Sequence, residues 1–167
     1  YYSGSVSVDP WGSIAYTSDA SGASSGSVSV DTGSASADLL GRAMIVHAFD
    51  GSRIGCALLS DGIDATLEAS AFVPYYTYSG SLGVSGRVGP MVTAGTTQVF
   101  AYSLTGVDPA CASGAGSAGN SCGLHIHSGS TCSGDAGGRA CGCRASKARE
   151  RHVALSGGGG GCVFAAV

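Results

Sequence analysis

Long amphipathic helices are hard to write anywhere in this chain, because glycine supplies 29 of 167 residues and charged residues only 11%, with lysine nearly absent. Strands and turns must carry the fold. The length suits one ordinary domain with a real core and is short for two. The formal net charge is -3, and Lys and Arg are scattered up to about residue 139. No basic stripe can neutralise a series of phosphates, so no nucleic acid partner is expected. No apolar run approaches the roughly 18 residues that would span a bilayer, and no membrane partner is expected. The chain opens YYSGSVSV with no initiator Met, basic region or apolar leader. Any secretory signal is therefore expected to lie outside it. Seven Cys point to disulfides and an oxidising, extracellular compartment, with zinc ligation as the competing use; the odd count leaves at least one unpaired.

Between residues 3 and 59, alternating stretches read as strands separated by turns, and the heptapeptide SGSVSVD occurs at Ser3 and again at Ser25. Residues 60–80 differ in texture, with acids followed by the Tyr75, Tyr76, Tyr78 cluster, and read as a linker. Strand character returns over about 82–107, where Phe100, Tyr102 and Leu104 share a face. The following loop is bracketed by Cys111 and Cys122. A disulfide closing that loop is preferred there over metal ligation. From Arg139 the composition changes to dense Arg and a five-Gly run. The CGC at 141–143 lacks the spacing of a thiolate zinc site.

The segment GLHIHSGSTC sets His125 and His127 at i and i+2, on one face of a strand, with Leu124 and Ile126 on the other. In RAMIVHAFDG, Met44, Val46 and Ala48 face one side and His47 the other. A lone strand histidine is usually solvated or hydrogen-bonded, and HxH pairs arise by chance. Three histidines of the chain's four sharing the arrangement suggest instead a metal site on the outer wall of a sheet. An all-imidazole set suits copper or zinc better than calcium or magnesium.

The stretch GRAMIVHAFDGSRIGCALL resembles the last two strands of the copper/zinc superoxide dismutase family, and GLHIHSGSTC resembles that family's HxH copper strand. The DPAC…NSCG loop and the short GSTC segment are closer to copper-only repeat versions of the fold. The resemblance implies an all-β Greek-key barrel or sandwich in which His47, His125 and His127 bind copper. It also implies that Arg53 sits over the metal and attracts superoxide, and that Cys56 pairs with Cys132. The implied activity converts superoxide to O2 and hydrogen peroxide; the alternative is a non-catalytic extracellular copper-binding or cell-wall module. Zinc is not expected, because no zinc ligand set is visible.

Two departures shape the expected architecture. The order is inverted: residues 1–59 resemble the C-terminal half of such a domain and residues 81–138 the N-terminal half. The fold is thus incomplete, as in a cut repeat array with neighbouring repeats as partners, or circularly permuted. The family's next copper-ligating His is expected just after Gly137 and Gly138, where Arg139 stands. Residues 139–167 are accordingly read as an atypical tail, possible as a gene-model artefact.

Overall fold

The computed structural model describes residues 1–137; the tail from Arg139, with the CGC at 141–143, lies outside the described residues. The described chain is mostly β, in two antiparallel sheets. In chain order the elements are β1 (Ser24–Asp31), a one-turn helix (Ser36–Leu39), β2 (Ala43–His47), β3 (Arg53–Leu58) and β4 (Ser60–Asp61). After a short 3-10 turn come β5 (Leu67–Ala69), β6 (Val73–Pro74), β7 (Ser85–Ala94), β8 (Thr97–Thr105), a second 3-10 turn (Pro109–Ser113) and β9 (Leu124–Ile126). One sheet has the order β1-β8-β7-β5-β4 and the other β6-β3-β2-β9.

Alternation along these strands builds the core between the sheets. Val28 and Val30 of β1, Phe100 and Leu104 of β8, Met44 and Val46 of β2, and Leu124 and Ile126 of β9 all enter one buried cluster. Each position is an even number of residues from its partner on the same strand, two or four, as a pleated backbone requires. Segments far apart in sequence close the structure: β1 pairs with β8 from Ser24 against Leu104 to Asp31 against Thr97, and β2 pairs with β9.

Two expectations are corrected. The heptapeptide SGSVSVD takes two conformations: at Ser25 it is β1, but at Ser3 it forms turns and bends, with Val8 74% exposed. The difference is tertiary, because β1 lies against the full length of β8 whereas the first copy has no strand partner among the described residues. Residues 60–80, read as a linker, hold three short strands, β4, β5 and β6, that pair into both sheets.

One irregularity re-aims side chains. On β2 and β3, Ile45 opposes Cys56, Val46 opposes Gly55, and His47 opposes Arg53, so Ile54 is the unmatched residue of a bulge. Strict alternation would put Arg53 and Cys56, three apart, on opposite faces. The bulge puts both on the outer face, because cross-strand partners point the same way and Ile45 and His47 lie there. Cys56 and Ile45 pack outside the main core with Ala43, Tyr75 and Ala136.

Two disulfides tie loops to this frame: Cys111 bonds Cys122, and Cys56 bonds Cys132 across 76 residues of sequence. The second holds the segment after β9 against the outer face of β3. Replacing both Cys56 and Cys132 with Ala should lower the unfolding free energy by about 2–5 kcal/mol, read as a fall in the urea midpoint. An unchanged midpoint would mean that strand pairing alone fixes that segment.

Candidate metal centre

His47, at the end of β2, and His125, on β9, project from the same face because Ile45 opposes His125 across the pair. His127 follows two residues later on that face, with its backbone N–H donating to the Ala43 carbonyl at 2.7 Å. The ligand-capable atoms of the three imidazoles lie within 4.8 Å of one another, an arrangement that could hold a metal ion.

Hydrogen bonding decides which nitrogen each ring can offer. His47 Nδ1 lies 2.9 Å from the Gly51 carbonyl, and His125 Nε2 lies 3.2 Å from the Ile14 carbonyl. His127 Nδ1 sits on the Gly137 carbonyl. A carbonyl only accepts, so each of these nitrogens must carry the proton. The opposite nitrogen of each ring, Nε2 of His47, Nδ1 of His125 and Nε2 of His127, keeps its lone pair. Backbone carbonyls thus set tautomer and ring orientation, as outer partners of metal-binding histidines do.

Distances test the fit. His47 Nε2 and His127 Nε2 are 3.4 Å apart, two lone-pair nitrogens facing one another with no proton to share. Metal–nitrogen bonds of about 2.0–2.1 Å at a tetrahedral angle would set them about 3.3 Å apart. The ligand-capable atoms spread over up to 4.8 Å, wider than that tetrahedral spacing, so closure on an ion needs the rings to draw together by up to about 1.5 Å. The donor set fits a borderline transition metal; among the described residues no fourth His, Cys, Asp or Glu joins the group.

Alternation along the strands predicts imidazoles on the outer wall of a sheet, outside the core. The three rings leave the core between the sheets, yet His47 is 1% exposed and His125 6%. Residues before β1 fold over them. An isolated bridge between Ala15 and Gly123 extends the sheet edge past β9, Trp11 lies 6.0 Å from His125 between ring centroids, and Tyr16 donates to the His47 carbonyl at 2.7 Å. Burial is the main reason that the His47 pKa falls to about 4 and the His127 pKa to about 3, with His125 also lowered. All three rings are therefore neutral, ligand-ready bases at neutral pH.

Arg53 lies directly across from His47, beside an open pocket of about 380 Å³ that it lines with Tyr75, Tyr76 and Asp135. Its guanidinium donates to Tyr75 at 2.5 Å and to Asp135 at 3.0 Å. The Gly51 turn is clamped from the other side: Ser121 donates to the Phe49 carbonyl at 2.6 Å and Cys122 N–H to the Ala48 carbonyl at 2.9 Å. The disulfide between Cys111 and Cys122 anchors that clamp. Sequence reasoning missed the carbonyls of Ile14, Gly51 and Gly137, which carry no side-chain signal, and it missed Asp135, an acid three residues past Cys132. Comparison with protein-family models, curated proteins and solved structures finds no match for this chain.

Two outcomes follow from this geometry. A Cβ on Gly123 would stand 2.5 Å from His125 Cε1 and 2.7 Å from Nε2, so Gly123→Ala should weaken Cu(II) uptake at least about tenfold, measured by competition with a chromophoric chelator, with the β circular-dichroism signal kept. The second outcome concerns the metal-free chain. The folded state binds fewer protons than the unfolded state between the ordinary histidine value of 6.5 and about 4, so stability falls as pH falls through that window, by a few kcal/mol. Carboxylates whose pKa is lowered from 3.8, such as Asp50, contribute only below it. Urea midpoints at pH 7, 5.5 and 4.5 check the slope. A His47→Asn chain with the same slope as the parent would refute the assignment to His47.

Proposed function

We propose that the chain is a copper-binding, superoxide-dismutase-like protein that converts two superoxide anions and two protons to O2 and hydrogen peroxide. The observation that carries this reading is the set of three imidazoles whose protonated nitrogens are all spent on backbone carbonyls, in a group whose ligand-capable atoms lie within 4.8 Å of one another and with Arg53 across from His47. Divalent first-row metals bind such nitrogen sites most tightly as Cu(II), ahead of zinc, which favours copper over the competing ion. Copper held there would supply one-electron cycling, oxidising one superoxide to O2 and reducing a second to hydrogen peroxide.

The chain's own residues supply the rest. The described residues carry only Arg42, Arg53 and Arg87 as Lys or Arg and are outnumbered by Asp and Glu, so the overall field repels an anion. Arg42 stacks 3.6 Å over the Tyr1 ring and Arg87 pairs with Glu68 at 2.6 Å. Arg53, directly across from His47 on the neighbouring strand, is the cation placed to draw a small anion toward the imidazoles, an effect that a low-dielectric wall strengthens. The buried neighbours Trp11 and Tyr16 keep water from the rear of the cluster.

Pairing of β1 with β8 and β2 with β9 supports the circularly permuted version of the superoxide-dismutase-like barrel, because both halves contribute to both sheets. Two disulfides fit an extracellular protein; no described helix is long and apolar enough to cross a membrane. A second reading, a non-catalytic extracellular copper-binding module, is favoured by one observation: Arg53 is already ion-paired with Asp135.

Electron paramagnetic resonance of the purified chain with added Cu(II), beside superoxide turnover, tests both. The parent should give a nitrogen-rich signal that His125→Ala loses. Arg53→Ala should keep the signal and lower turnover about tenfold or more. A nitrogen-rich signal with no turnover in the parent would leave copper binding standing and remove the enzyme reading.

A further inference from the structure

We propose that Asp135 is a specificity-determining residue: it fills, from within the chain, an anion site at Arg53 that an incoming small oxyanion must take over. This deepens the function proposed above, and it can be tested without the metal.

Three donors converge on one oxygen. Asp135 Oδ1 accepts from Arg53 Nη1 at 3.0 Å, from the Tyr75 hydroxyl at 2.9 Å and from the Gly137 N–H at 3.1 Å. A cradle of a guanidinium, a hydroxyl and a backbone amide is the chemistry of an oxyanion site. Tyr75 is the positioning residue. Its oxygen accepts from Arg53 at 2.5 Å and from the Ala136 N–H at 3.3 Å while its proton goes to Asp135, which uses the full capacity of a hydroxyl. If the carboxylate leaves, that proton and one guanidinium N–H are left pointing at the vacated position. The replacement must therefore be an acceptor with negative charge, and small enough to present a single oxygen.

Exposure says which group yields. Tyr75 is 3% exposed and the Arg53 side chain 25%, against 63% for the Asp135 side chain. Arg53 and Tyr75 are anchored on β3 and after β6, so Asp135 is the member of the cluster that can swing into solvent. The open pocket lined by Arg53, Tyr75, Tyr76, Thr77 and Asp135 gives an anion its approach. Occupancy by Asp135 raises the threshold: only an anion that matches the cradle better than a tethered carboxylate gets in, which excludes weak or bulky competitors from the position opposite His47.

Formate, a free carboxylate, is the probe. It is titrated into the metal-free chain and followed by the amide resonance of Gly137 and the side-chain resonance of Arg53. Asp135→Ala should bind formate at least about tenfold more tightly than the parent, and adding Arg53→Gln to that variant should abolish the gain. Asp135→Asn keeps an acceptor oxygen without the charge and guards against misfolding of the Ala variant; it should still gain severalfold. Equal formate affinity in the parent and both variants, or a gain that survives Arg53→Gln, would overturn the proposal. On the copper-loaded chain, Asp135→Asn should raise the second-order rate with superoxide and make it fall more steeply with ionic strength. If the parent takes up no copper, the proposed function fails while the formate result stands by itself.

Discussion

Three residue pairs between β2 and β9, Met44 with Ile126, Ile45 with His125 and Val46 with Leu124, join segments about eighty positions apart, and the described site follows from that short ladder. Its core face supplies Met44, Val46, Leu124 and Ile126 to the interior, and burial of such side chains drives the closure. Its other face then has no choice of register. A slip of one residue would bury His125 and His127 in the core and expose Leu124 and Ile126, so the hydrophobic pattern that stabilises the sheet also fixes where the imidazoles stand. The bond between Cys56 and Cys132 adds a covalent restraint on the same face.

Electrostatics accounts for the layer above. Three neutral imidazoles in contact would be an unfavourable group if their orientations were left open, since lone pairs would meet lone pairs or N–H groups would go unpaired. Backbone carbonyls of three separate segments, at Ile14, Gly51 and Gly137, resolve that by holding each ring in one tautomer. The segment before β1, the turn after β2 and the strap after β9 are thus irregular in backbone but specific in function. Loops on a rigid sheet carry the precision here.

Alternation made the strands and the shared face of His125 and His127 legible from residues alone, and it separated His47 from Met44 and Val46 correctly. It could not show that residues before Ser24 fold over the imidazoles, because an SVSV stretch has the same local preference whether or not a partner strand awaits it; Val6 and Val8 have none, Val28 and Val30 have β8. Carbonyl acceptors were invisible for a simpler reason: every residue has one. Asp135 was open to detection only as an acid near Cys132, since its meaning depends on Arg53 and Tyr75, which are 82 and 60 positions away. Short strands such as β4 and β6, of two residues each, fall below any sequence period.

The unmatched Ile54 gives β3 a parity that nothing else in the strand supplies. Upstream of it, odd-numbered residues face outward; downstream, even-numbered ones do, so Arg53 and Cys56 read from the same side only because the count is broken between them. A conservative exchange of Ile54 for another apolar side chain leaves that count intact. Loss of the residue altogether, a three-nucleotide event in the gene, would instead reverse one half of the strand relative to the other, turning either the guanidinium or the disulfide side into the sandwich. By this geometry the position accepts another apolar side chain but not a deletion, a constraint carried by an odd number rather than by a chemical group.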